Sequence, residues 1–269
     1  MSTTSKISSS FLFVLMFVAV LAPWIAPYSY QDQDTLHILA FPGSEHWLGT
    51  DRLGRDLLSR MIYGARVSLF VGVFSTVVAL IIGTIYGTLS AYLGGRIDNL
   101  MMRVVDVVFA LPDLLMIILI TVLMGRGIVG VFIALTLVSW VTIARLVRGE
   151  VLRIKEYPYI QAAKALGASH FRIMLKEIFP NILGILVVTL SFRVPVAILA
   201  ESTLSFVGLG IAPPASSWGT LASDGWTAIK FYPHLILFPS LAIFFTILSF
   251  NFLGEGLREF LDPRSEKDS

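Results

Sequence analysis

Arg193 and Glu201 are the ionisable residues in the least hospitable surroundings. They stand in residues 182–207, an otherwise apolar run that also holds Ser191, Pro195, Ser202, Thr203 and Ser205. Charges in a segment of membrane-spanning length are costly and usually face a protein interior or a water-filled path. Arg193, Glu201 and Ser202 are therefore candidates for lining a translocation path. The competing reading is that each charge pairs with a different helix for structural reasons. Eight positions separate the two charges, about 12 Å along a straight helix, so they pair directly only if Pro195 bends the chain. Asp106 and Asp113, with Pro112 between them, form a second constellation. Their spacing of seven puts both on one helical face, and two carboxylates could relay protons. The structural reading is preferred, with Asp106 at the cytoplasmic interface near Arg103 and Asp113 beside a proline bend.

Other chemistries find no support. The chain has no Cys, which removes disulfides, thiolate metal sites and a Cys nucleophile. His37, His46, His170 and His234 fall at no metal-binding spacing, so no metal site is expected. No G-x-x-x-x-G-K-S/T, G-x-S-x-G or H-E-x-x-H motif occurs. An intramembrane hydrolase needs a nucleophile and base, or paired aspartates, at matching depth, and Asp106 and Asp113 are expected to share one helix rather than face each other from two. No enzyme activity and no cofactor in this chain are expected, and any ATP must be handled elsewhere. A net charge of +2 is too small to imply a nucleic-acid partner.

The elements that hold these residues are apolar helices. Hydrophobic residues make up 56% and charged residues 14% of 269, and mean hydropathy is +0.81. A soluble domain carries about 25% charged residues, so much of this surface must face lipid. A helix needs about 20 apolar residues to span a bilayer. Six segments qualify: 11–27, 67–92, 104–124, 127–147, 182–207 and 235–253. Their length and lack of alternation exclude a barrel, leaving an all-α polytopic membrane protein. The first segment also has features of a cleavable signal peptide, but Trp24 and Ile25 suit a retained anchor. In the second, Ser75, Ala79, Gly83, Gly87, Ala91 and Gly95 form a small-residue stripe that favours close helix packing. Its drift of about 40° per step predicts one neighbour near its start and another near its end.

An N-terminus inside the cell puts thirteen Lys and Arg on the cytoplasmic side against six outside. The positive-inside rule therefore favours both termini in the cytoplasm. Arg52, Arg55, Arg60 and Arg66 fall outside and go against it.

Residues 148–181 are too polar to span. Pro158 suits a first helical turn, and 157–166 reads as a short helix that Gly167 ends in a left-handed cap. A second helix, about 169 to 178, carries an apolar stripe of Phe171, Met174, Leu175 and Ile178. Pro180 is expected to stop it and Asn181 to cap the next span. This helix–Gly–helix hairpin could lie on anionic lipid or dock a soluble partner.

Here the sequence resembles a known family. QAAKALGASHFRIMLKEIFP (161–180) is similar to the cytoplasmic E-A-A-x-x-x-G loop of permease subunits of bacterial binding-protein-dependent ABC importers. Ala162, Ala163, Gly167, Ile178 and Pro180 match, while Gln161 stands where that family commonly has Glu, so a salt bridge there is not expected. HWLGTDRLGRDLLSRMIYGARVSL (46–69), AESTLSFVGLGIAPPASSWG (200–219) and FNFLGEGLREFLDPR (250–264) resemble further blocks of the peptide/nickel subfamily. Glu201 falls inside a matching block and Arg193 outside.

The resemblance implies a type I ABC importer permease fold. It divides the chain into an anchor and external segment at 1–66, a transmembrane core at 67–258 and a cytoplasmic tail at 259–269. It makes 46–66 a folded external segment, amphipathic through Leu53, Leu57, Leu58, Met61 and Ile62, and 208–234 the place where a binding protein docks. Tyr159, Gln161, Ala162, Ala163, Gly167 and Ala168 become ATPase-coupling residues. The implied partners are a homologous permease subunit, two ATP-binding subunits carrying ATP-Mg, an extracytoplasmic solute-binding protein and the lipid of the bacterial inner membrane. Peptide is the expected solute, with nickel or another small solute as the alternative. An ion-driven transporter or channel would need midplane ionisable groups or broken helices in paired halves; there is no internal repeat, and only the fifth span qualifies.

Overall fold

The computed structural model describes residues 3–261, which are mostly helical with no strand among them. The end of the expected tail, with Arg264 and Lys267, lies outside the described residues.

Helix α1 (Thr3–Val20) is followed by the one-turn α2 (Ala22–Ile25), which Pro23 opens. The first crossing thus starts earlier than position 11. Ser5, Ser8, Leu12 and Ala19 are its buried face. Helix α3 (Leu57–Leu93) begins ten residues before the expected 67 and runs unbroken past position 66. Asp56 starts it by accepting the Ser59 N–H at 2.7 Å, a side-chain N-cap. Gly94, at φ +64, ends it, so Gly95 belongs to the next helix and not to the small-residue stripe.

The third crossing is not one helix. Helix α4 (Gly95–Phe109) and helix α5 (Asp113–Met124) are bent by 85°. Pro112 removes a backbone donor and pushes Leu111 out of the helical region. Asp106 and Asp113 therefore sit on two differently directed helices, not on one face. Nor does Asp106 pair with Arg103: it meets Arg145 at 2.5 Å, 39 residues away.

Helix α6 (Ile128–Lys155) packs along α3. A Cβ at Gly83 would lie 2.7 Å from Ile143 Cβ, and one at Gly87 only 2.4 Å from the Ala144 carbonyl. The two backbones touch, as small residues in a membrane permit. Nearer its start, α3 meets a different neighbour, with Gly72 against Ile198.

Helix α7 (Pro158–Ala165) and the one-turn α8 (His170–Arg172) lead into a π-helical segment (Ile173–Ile178) and helix α9 (Phe179–Phe206). Residues 170–206 form one continuous helix. Pro180 therefore does not stop the hairpin's second arm. The wider π turn accommodates a residue that cannot donate to the ladder. Asn181 does not cap either; its amide donates to the Glu177 carbonyl one turn back, at 2.5 Å.

Helix α10 (Trp218–Trp226) opens with a capping box formed by Ser217 and Thr220. Helix α11 (His234–Leu261) closes the bundle against α1 and α9. Among the described residues five helices are long and apolar enough to cross a membrane, and the crossings number six if the bent α4–α5 pair is one span.

The polar segment 26–56 folds over the start of α3. Phe41 reaches the rings of Tyr232 and His234, each 5.3 Å away. The arginines that opposed the orientation are mostly partnered here. Buried Asp51 takes Arg55 Nε at 2.7 Å and Arg60 at 2.5 Å. Arg60 also lies 3.8 Å from Asp224, and Arg52 reaches that residue's carbonyl at 3.4 Å. Arg66 is exposed.

Candidate functional site

The hairpin is built by three local rules. Pro158 fits the first turn of α7. Gly167, at φ +81, closes it: its N–H donates to the Lys164 carbonyl and that of Ala168 to the Ala163 carbonyl, both at 3.1 Å. That pair of bonds is a Schellman cap. Nothing lies within 4 Å of a Cβ built on Gly167, so the left-handed backbone requires the glycine, not a lack of space. Ser169 then caps the second arm by accepting the Arg172 N–H.

The apolar stripe expected on this arm is redistributed. Ile173 and Ile178 are buried, while Phe171 is 67% and Leu175 50% exposed. Five positions separate the two buried residues, the repeat of a π turn rather than an α turn. They join Ile154, Ile160 and Ile182 in one core cluster. Leu166, at the turn, is 88% exposed. The hairpin thus turns an anchored face inward and an apolar rim outward.

Side chains tie its base to three helices. Gln161 donates from its amide to the Lys155 carbonyl at 2.8 Å, satisfying a free acceptor at the end of α6. An ionised Glu there has no proton to give. Lys155 in turn donates to the Ala91 carbonyl at 2.6 Å, near the end of α3. Tyr92 and His170 meet at 2.7 Å. Tyr159 accepts from the Asn181 amide at 3.0 Å, joining α7 to the start of α9. Burial, with Glu177 and Tyr157 nearby, raises the Tyr159 phenol above its usual range, so it stays protonated at neutral pH. Ala162 is exposed, and Ala163 and Ala168 are half-buried. Lys155, Tyr92, His170 and Asn181 were not among the expected coupling residues. Their partners lie across tertiary contacts that spacing along the chain does not reveal.

A second set of ties fixes α4 to α6. Arg148 forks onto Asp98 at 2.7 and 2.6 Å, a geometry suited to guanidinium and carboxylate. Arg145 lies over the Phe109 ring at 3.9 Å.

The two charges of the fifth span are separated. Arg193 is half-buried and feels the charge of Asp113 at the start of α5. Glu201 is 1% exposed and accepts from Ser205 at 2.9 Å and from Ser217 at 2.6 Å. Ser217 is the N-cap of α10, so Glu201 ties that helix to α9. A Cβ at Gly219 would meet Ser202 Cα at 2.6 Å, and Ser202 is buried at this close approach. Pro195 does not bring Arg193 and Glu201 together.

At the start of α3, Asp51, Arg52, Arg55, Arg60 and Asp224 line a cavity of about 390 Å³ together with Leu221 and Pro213. Trp218 is buried and donates to the Met61 carbonyl at 3.0 Å, whereas Trp226 is exposed.

A bundle of helices long and apolar enough to cross a membrane, one of which runs on into a polar hairpin, defines a polytopic membrane protein. Residues 79–267 match the family described as the binding-protein-dependent transport system inner membrane component, and this chain belongs to that family. Residues 3–42 match the N-terminal TM domain of oligopeptide transport permease C. The dipeptide transport system permease protein DppC of Bacillus subtilis is 46% identical over 264 residues, 97% of this chain and 82% of that one. The oligopeptide transport system permease protein OppC of the same organism is 43% identical, over 94% of this chain and 83% of that one. The glutathione transport system permease protein GsiD of Escherichia coli is 42% identical, over 94% and 84%. An inward-facing structure of the MetNI methionine ABC transporter matches the fold with a TM-score of 0.63 at 19% identity, covering 77% of this chain and 97% of that chain. The chain is therefore a multi-pass permease subunit with the fold of an ABC importer permease. Membership implies ATPase and permease partners in general.

Proposed function

We propose that this chain forms half of the translocation path of an ATP-driven peptide importer in a bacterial inner membrane, with both termini in the cytoplasm. In this reading a homologous permease subunit completes the path, two ATP-binding subunits carry ATP-Mg, and an external binding protein delivers the solute. The observation that carries it is the unbroken helix of residues 170–206. Its lower arm, with Tyr159, Gln161, Ala162, Ala163, Gly167 and Ala168 around the turn, offers the rim of Leu166, Phe171 and Leu175 to an ATPase. Its upper part carries Arg193 beside the path. A helix of 37 residues has a contour of about 55 Å, so one continuous backbone joins the hairpin to the outer half.

Peptide as solute is supported by the relatives named for dipeptide, oligopeptide and glutathione transport. The test is to purify the intact complex with its binding protein and identify the co-eluting solute by mass spectrometry. A peptide together with ATP-binding subunits is expected. An active preparation without any ATP-binding subunit overturns the reading.

A further inference from the structure

Folding assembles what the histidine spacing along the chain does not show. Asp34, His37 and His46, all in the polar segment between α2 and α3, bring one potential ligand atom each to within 4.8 Å of one another. His37 Nδ1 lies 2.7 Å and His46 Nε2 3.8 Å from the same oxygen, Asp34 Oδ2. The Glu45 carboxylate stands 3.4 Å from the other nitrogen of His37.

The orientation of His46 decides what this cluster is suited to hold. His46 is 7% exposed, and its Nδ1 lies 2.9 Å from Asp56 Oδ1. Asp56 is buried and already accepts the Ser59 N–H through its other oxygen, so it needs a donor from His46. With Nδ1 turned to Asp56, Nε2 is the nitrogen that faces Asp34. A cation between them, a proton or a metal ion, makes that arrangement favourable. A carboxylate behind the far nitrogen of a ligating histidine is the usual outer support of a metal site. Asp34 is fixed as well: its Oδ1 accepts the Leu36 N–H at 2.9 Å, and its backbone N–H donates to the Gly54 carbonyl at 3.0 Å. Its Oδ2, which meets His37 Nδ1 at 2.7 Å, is the oxygen turned toward both imidazoles.

We infer that Asp34, His37 and His46 form a binding site for a divalent transition-metal ion of the zinc class, with water as fourth ligand and Glu45 supporting the far nitrogen of His37. Two imidazoles and a carboxylate suit zinc and its neighbours, whereas calcium and magnesium prefer oxygen alone. Zinc bonds of about 2.0–2.2 Å set ligand atoms about 3.4 Å apart in a tetrahedron. The 3.8 Å between His46 and Asp34 closes with a small side-chain shift. The ion takes the place of the proton between His37 and Asp34. Once bound, it fastens the segment that covers the start of α3. None of this depends on the solute or on the ATPase partners.

The test uses the full chain in its detergent-purified complex, with affinity tags removed and metals stripped by chelator. ZnCl2 is titrated calorimetrically, and CoCl2 is followed by its visible absorption, which reports tetrahedral nitrogen and oxygen ligation. One saturable Zn2+ site is expected in this chain, unaffected by millimolar Mg2+. His37→Ala removes a half-exposed ligand and Asp34→Asn keeps the Leu36 contact, so both fold. Each should weaken Zn2+ binding at least tenfold while leaving the metal-free unfolding temperature within error of the parent. Absence of saturable Zn2+ binding by the parent, or parental affinity in both variants, overturns the site.

Discussion

The helix–Gly–helix hairpin and the segment between α2 and α3 are both polar excursions from the same bundle, and they are built in opposite ways. The hairpin buries Ile160, Ile173 and Ile178 and turns its other large apolar side chains, Leu166, Phe171 and Leu175, outward. The α2–α3 segment hides its charges, with Asp51 and Arg55 buried beside Arg60 of α3. One region is made to be gripped by something else, the other to hold itself together. Stability and coupling should therefore respond to different substitutions.

The largest loss of stability is expected from Asp51→Ala. It strands two buried guanidinium groups, and removing one partner of a buried ion pair costs about 3–5 kcal/mol. The check is the unfolding midpoint of the detergent-purified subunit; a fall smaller than that of any hairpin variant would break the comparison. Gly167→Val comes next. A β-branched residue in the left-handed region costs about 1–3 kcal/mol, confined to the turn. The expected result is an assembled complex that hydrolyses ATP but takes up little solute in proteoliposomes. Normal uptake and assembly in that variant would show that the turn does not couple. Tyr159→Phe should do least, losing one bond to Asn181 worth about 1 kcal/mol. Its midpoint should be nearly unchanged, with a modest fall in uptake per ATP hydrolysed.

What the sequence made legible depended on how local the cause was. Pro158 and Gly167 announce the start and end of α7 because a ring and a missing Cβ act within one turn. Apolar run length gave the crossings, since the bilayer thickness is fixed. The failures are all cases where a distant partner decides. Arg103 lies next to Asp106 in sequence, yet Arg145 claims it from another helix. Ser217 determines what Glu201 does, across a loop. Pro180 reads as a stop by its own chemistry, but the π turn before it lets the helix continue. His37 and His46 match no motif because their shared partner, Asp34, comes from the same irregular coil.

The contact of α3 with α6 at Gly83 and Gly87 has a mechanical meaning. With no room for a single added carbon between them, neither helix can slide or roll over the other without opening a gap. The pair behaves as one strut. That reduces the parts free to move: whatever the helix of residues 170–206 does in a transport cycle, it does against a fixed frame. Two missing methyl groups thus set where the moving piece ends and the chassis begins.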